Sequence, residues 1–232
     1  IEESWDGDYH KVEHVDYTPV IAVPHDMMVE GYDGKGIAVL RLWSAKAPGF
    51  DMRLFNEGDY LRAMEQNAMA EVISKVLYPS DNHREGKSLR LKQQYFLVSA
   101  SISDIIQRYL KTNADMHGLP EKIAIHINDT HPALVIPELM RVLLDECGFG
   151  WDEAWCIVNR TVAYTNHTVM SEALEKWPLE YLEKVVPQLI PIIKELDKRV
   201  RATYKDEKVQ IIDKDKRVHM AHIDIHYGFS VN

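Results

Sequence analysis

The sequence predicts an α/β fold with a partly parallel sheet, and three observations carry that prediction. Ile123-Ala124-Ile125-His126-Ile127-Asn128-Asp129-Thr130-His131-Pro132 is an apolar run that ends in a polar burst. Val162-Ala163-Tyr164-Thr165-Asn166-His167-Thr168 has the same shape. After about residue 120, strand-like and helix-like patterns alternate, the order that builds parallel strands covered by helices. Ligands of open α/β sheets bind outside the carboxyl ends of the strands. Two buried strands ending in hydroxyl, amide and imidazole groups therefore describe the rim of a cleft for a polyhydroxylated ligand.

Taken in order, residues 9–48 read as strands. Residues 20–23 are apolar and bounded by Pro19 and Pro24, and residues 36–43 follow a Tyr-Asp-Gly-Lys-Gly turn. Asn56 with Asp59 three residues later is a capping pattern. Leu61, Met64, Ala68, Val72 and Val76 then recur at steps of three and four, and Pro79 ends that helix. Residues 80–87 read as a polar loop and Ser88 as the next cap. The helix from 89 to about 111 carries Val98, Ile102, Ile105, Ile106 and Tyr109 on one face. Residues 121–127 are a strand with isoleucines at alternate positions. A helix runs from about Pro137 to Gly148 as its C-cap, and Asp152 starts another that leads into Val162. Residues 178–207 are mostly helical, and 209–213 and 220–226 read as strands. The chain stops at Gly228-Phe229-Ser230-Val231-Asn232, where a strand would need a covering helix, so a piece of a longer protein is expected.

Composition narrows the function. The chain has 232 residues, 46% of them hydrophobic, and five tryptophans, enough for a sizeable core. The net charge is −9 with scattered Lys and Arg, which argues against nucleic acid or an anionic membrane as partner. No apolar run approaches the roughly 18 residues of a transmembrane helix, and the acidic N-terminus has no signal-peptide pattern. Cys147 and Cys156 have no metal or redox spacing and read as reduced thiols of a cytoplasmic protein. Asn-x-Thr sequons at Asn128, Asn159 and Asn166 are taken as coincidental.

Other motifs fall short. Glu85-Gly86-Lys87-Ser88 ends like a phosphate-binding loop, but Asp81 stands where the first glycine is required, and a carboxylate repels phosphate. His219, His222, Asp224 and His226 invite a metal reading. On a strand only the last three share a face, and no HExxH or second carboxylate cluster accompanies them. No G-x-S-x-G elbow is present, and Asp129 and His131, two apart at a strand end, are splayed.

Residue by residue, NDTHP-x-L-x-IPELMRVL from Asn128 and AYTNHTV-x-x-EALE-x-WP from Ala163 resemble the α-glucan phosphorylases, the glycogen and maltodextrin phosphorylase family. Arg41-Leu42-Trp43-Ser44-Ala45-Lys46-Ala47-Pro48 and Val76-Leu77-Tyr78-Pro79-Ser80-Asp81-Asn82 fit the same family, as does the Glu85-Gly86-Lys87 stretch that follows. The matches run in order from about residue 36 to 232; the first 35 residues match only in type.

The resemblance implies phosphorolysis of α-1,4-glucan by inorganic phosphate to glucose 1-phosphate, in a homodimer. Its pyridoxal phosphate is bound to a lysine in the complete enzyme. It implies that residues 1–232 are a partial Rossmann-like N-terminal domain, with long helices and additional strands, of a two-domain glycosyltransferase-B-type enzyme. The C-terminal cofactor domain lies outside this chain. No cofactor is then expected on this chain, and it is expected to be inactive alone. His167 resembles the imidazole that contacts the C6 hydroxyl of the reacting glucose, Asp129 and His131 resemble cleft residues, and Asp81 and Asn82 resemble a mobile gate. The helix around 59–75 resembles the dimer contact. The family's muscle enzymes carry two adjacent arginines for an activating nucleotide; here Gln107 and Arg108 stand in their place, leaving Arg108 as a weak allosteric candidate. A non-catalytic carbohydrate-binding or regulatory module of the same fold, and a metal-dependent hydrolase built on the C-terminal histidines, stay open as alternatives.

Overall fold

The computed structural model describes residues 1–6, 9–15, 17–168, 170 and 174–232. They form two compact units, one of residues 17–100 and one of residues 1–16 with 101–232. Strands β1 (Glu2–Asp6) and β2 (Tyr9–Glu13) are an antiparallel pair of the larger unit.

In the smaller unit, β3 (Ile21–Glu30) and β4 (Ile37–Lys46) make a ten-residue antiparallel hairpin. Its turn is closed by the Gly31 amide donating to the Gly36 carbonyl at 2.8 Å. Pro24, predicted to bound the first strand, lies inside β3. A two-stranded ribbon tolerates this because each strand is an edge. A short helix α1 (Met52–Asn56) is capped by Asp51, and α2 (Tyr60–Lys75) by Asp59, whose carboxylate accepts from the Arg62 amide at 3.3 Å. The apolar stripe predicted for α2 is not its buried face: Leu61 and Met64 are 76% and 61% exposed, while Ala63 and Ala70 are buried.

Helix α3 (Arg84–Leu110) starts earlier than the predicted cap at Ser88, so only the first residues of the expected 80–87 loop are a loop. The His83 ring explains the shift, since its Nδ1 accepts the Gly86 amide at 2.9 Å and takes over a capping role. Gly86 is there for close approach. A Cβ on it would sit 1.8 Å from the Ser80 carbonyl oxygen.

In the larger unit, α4 (Leu119–Lys122) occupies the start of the predicted 121–127 strand, because Pro120 suits a first helical turn. Strand β5 (Ile125–Asn128) follows. Then come α5 (Val135–Arg141), a π-helical turn over Val142–Glu146, and Gly148 at φ +71°. Helix α6 (Trp151–Thr161) leads directly into β6 (Val162–Thr165), which pairs parallel with β5. Strand β7 (Lys176–Pro178) precedes α7 (Leu179–Val185) and α8 (Ile190–Thr203). Strand β8 (Arg217–His219) returns antiparallel to β7, and α9 (Met220–Tyr227) ends the regular structure.

Two segments that read as strands in the sequence are not strands. Residues 207–209 are a 3₁₀ turn, and only an isolated Ile212–Val218 bridge follows. Residues 220–226 lie in α9. The alternation His222-Ile223-Asp224-Ile225-His226 imitates a strand, yet the buried positions Met220, Ala221, Ile223, Asp224 and Tyr227 have helical spacing and Ile225 is exposed. Extended backbone comes later: Tyr164 and Asn166 donate to the carbonyls of Ser230 and Asn232, and Phe229 to that of Val162. Residues 229–232 thus run parallel along β6, which has β5 on its other edge. Ile127 and Tyr164 from the strands, Leu134, Ile136 and Leu139 near α5, and Leu196 and Ile223 from α8 and α9 are all buried. The result is mixed α/β.

Candidate functional site

The carboxyl ends of β5 and β6 gather the polar residues that the sequence singled out. The register sets Asn128 opposite Thr165, and the Asp129 amide extends the pairing by donating to the Thr165 carbonyl at 2.9 Å. The chain then turns sharply, with Asp129 at φ +66°. An Asp tolerates that left-handed conformation better than most residues. Its carboxylate also accepts the Thr130 amide at 2.6 Å. Buried Thr130 in turn donates its hydroxyl to Glu175 at 3.3 Å.

On the β6 side, Asn166 folds back on itself. Its side chain donates to the Thr168 carbonyl at 2.6 Å and accepts from the Thr168 amide and the Tyr164 hydroxyl, both at 3.2 Å. That turn holds the backbone on either side of His167. The ring is exposed, and its Nε2 lies 2.5 Å from Asn128 Oδ1. A second cross-strand contact, His126 Nε2 to Thr165 Oγ1 at 2.5 Å, lies alongside.

His167 and Asp129 therefore stand at the neighbouring ends of the paired strands, and half-buried His131 follows Asp129 by two residues, at the start of the turn toward α5. Behind the rim the surroundings are apolar and acidic. Burial, and after it the negative fields of Asp224 and Asp129, push the Tyr164 hydroxyl up to about 12. Burial, then Asp129, hold the Asp224 carboxyl well above the usual carboxylate range. Asp224 is 0% exposed, and neither of its oxygens has a hydrogen-bond partner among the described residues.

Asp81 and Asn82 lie in the smaller unit. Asp81 is half-buried and accepts from Arg90 of α3 at 3.0 Å; Asn82 is exposed. Arg108, near the end of α3, pairs with Asp104 at 2.9 Å. Two of the three C-terminal histidines face main chain and the third a carboxylate. His222 donates to the Gln210 carbonyl at 2.6 Å and His226 to that of Val209 at 2.7 Å, while His219 pairs with Asp213 at 3.0 Å. Burial is the first cause that lowers His222. Among the described residues no group of three or more His, Cys, Asp or Glu could hold a metal ion.

Sequence reasoning passed over Asn128 and Glu175. Asn128 had a usable signal, since it is the last strand residue before the polar burst. Glu175 had none, because its contact with Thr130 joins residues 45 apart in the chain.

A parallel strand pair whose carboxyl ends collect amide, hydroxyl, carboxylate and imidazole groups defines a mixed α/β protein with a polar strand-end rim. Residues 2–232 match the carbohydrate phosphorylase family, and the chain belongs to that family. It is similar to the muscle form of glycogen phosphorylase from Homo sapiens, 44% identical over 253 residues. The liver form from Ovis aries is 43% identical over 251 residues. Each alignment covers 97% of this chain, and the chain spans about 30% of the length of these curated relatives.

Proposed function

We propose that the complete protein is an α-1,4-glucan phosphorylase that transfers the terminal glucose of glycogen or a maltodextrin to inorganic phosphate. The observation that carries this reading is the rim at the ends of β5 and β6, where the exposed His167 ring is held by Asn128 beside Asp129 and His131. Neutral sugar hydroxyls require side chains of this kind, and the family membership supports the substrate. His167 meets the C6 hydroxyl of the reacting glucose, Asp129 and His131 line neighbouring subsites, and Asp81 and Asn82 belong to a gate segment. The parallel β5–β6 pair supports a place for residues 1–232 in a Rossmann-like N-terminal domain of a two-domain, glycosyltransferase-B-type enzyme.

The exposed Leu61 and Met64 on α2 support a homodimer formed through that helix. A cytoplasmic location goes with the family, and among the described residues no helix is long and apolar enough to cross a membrane. Arg108, already paired with Asp104, is a poor nucleotide-phosphate ligand. Pyridoxal phosphate belongs to the complete enzyme, and the residues described here do not fit it. Every described lysine side chain is exposed except half-buried Lys92, and a Schiff base at the surface would be open to water. This chain alone should therefore release no glucose 1-phosphate.

The test is kinetic. In the full-length enzyme, His167→Ala should lower kcat/KM for phosphorolysis by about 10²–10³, the cost of a hydrogen bond that strengthens in the transition state. His222→Ala, whose ring is turned to a main-chain carbonyl, should cost far less. Equal losses in two folded variants would overturn the assignment.

A further inference from the structure

We infer that Asn128 is the positioning residue for His167: it accepts the Nε2 proton and thereby leaves Nδ1 as a hydrogen-bond acceptor for a sugar hydroxyl. This rests on the proposed role of His167 and adds the tautomer that the role requires.

An amide oxygen accepts and cannot donate. At 2.5 Å from Asn128 Oδ1, His167 Nε2 must carry the hydrogen. In a neutral imidazole the other nitrogen then has only a lone pair to offer. The substrate hydroxyl has to donate to it, and its oxygen keeps both lone pairs for other donors. A protonated ring would demand the opposite arrangement.

The partners are well anchored. Asn128 closes β5, and its backbone position is set by pairing with Thr165. His167 lies two residues beyond β6, in the turn pinned by Asn166 to Thr168. The His126–Thr165 contact ties the same two strand ends a second time. An exposed ring without such an anchor would rotate freely and lose orientation when substrate arrives. Residues that orient a functional imidazole through its other nitrogen typically contribute about tenfold to hundredfold.

The experiment uses the full-length enzyme in the direction of glucan synthesis, with glucose 1-phosphate and its 6-deoxy analogue as donors. Asn128→Ala should lower kcat/KM by about tenfold to hundredfold with glucose 1-phosphate and by much less with the 6-deoxy donor, which has no C6 hydroxyl to place. Asn128→Asp keeps the size but sets a carboxylate beside Nε2. Both of its oxygens can only accept, so the Nε2 hydrogen keeps its partner and discrimination between the two donors should be retained. A merely structural Asn128 would reduce both donors alike, and that result overturns the inference. His167→Ala separates the two levels. If it discriminates between the donors and Asn128→Ala does not, the positioning role fails and the C6 assignment stands. If His167→Ala does not discriminate, the assignment fails and the inference falls with it.

Discussion

Asp224 offers the sharpest test of the packing behind the rim. Its carboxyl is fully buried on α9, without a hydrogen-bond partner among the described residues, and burial followed by the field of Asp129 holds it well above its ordinary value of 3.8. The folded state therefore keeps a proton that the unfolded chain releases above 3.8. Below 3.8 both states are protonated and this group adds no pH dependence. Between 3.8 and the raised folded value the unfolded state binds fewer protons, so stability falls as pH rises. For one proton the slope is about 1.36 kcal/mol per pH unit. Asp224→Asn has nearly the same shape and cannot ionise, so it should remove that slope. Asp224→Ala also removes the unsatisfied oxygens, whose burial costs about 1–3 kcal/mol, at the expense of a small void. Urea unfolding of the chain in half-unit steps from pH 5 to 8 measures all three proteins. Both variants should gain on the wild type as pH rises, with alanine above asparagine. Curves that run parallel across the range would show that Asp224 ionises in the folded protein, and the account of its site would be wrong.

Gly86→Ala would drive a methyl into the Ser80 carbonyl, so the start of α3 should shift at a cost of about 1–3 kcal/mol; an unchanged melting temperature would refute the close approach. Asp81→Asn removes the charge from the half-buried pair with Arg90, worth about 0.2–1 kcal/mol. Amide protection at residues 80–87 should drop by about two- to fivefold, and no change would mean that the pair does not restrain the segment. Leu61→Glu with Met64→Glu places charge on the exposed stripe of α2. Sedimentation of the full-length enzyme should then show more monomer, and an intact dimer would remove α2 from the interface.

What the sequence reveals here depends on how far each signal reaches along the chain. Both polar bursts mark strand ends correctly, because an apolar run that stops at Asn128 or Thr165 is a local pattern. The face of α3 is legible for the same reason: Val98, Ile102, Ile106 and Tyr109 are buried and Ile105 is half-buried. Helix α2 misleads, since Leu61 and Met64 recur at helical spacing but stay exposed while the small Ala63 and Ala70 are buried. Spacing reports a stripe without saying what covers it. Residues 220–226 fail through an ambiguity of short apolar runs, in which His222 to His226 alternate with a period of two inside a helix. The Asn128–His167 contact spans 39 residues. It exists only because β5 and β6 are neighbours, which no local pattern states.

Asp129 is constrained from two directions at once. Its backbone is left-handed at φ +66°, while its carboxylate accepts the Thr130 amide. Glycine would satisfy the backbone but lose the acceptor; glutamate would keep the charge at the wrong reach; valine or isoleucine would fail on backbone grounds alone. Asparagine is the one substitution that keeps both the turn and the oxygen. The geometry of the turn is thereby compatible with a neutral amide as well as a carboxylate, so the fold at this corner does not itself require the negative charge that Asp129 brings to the rim.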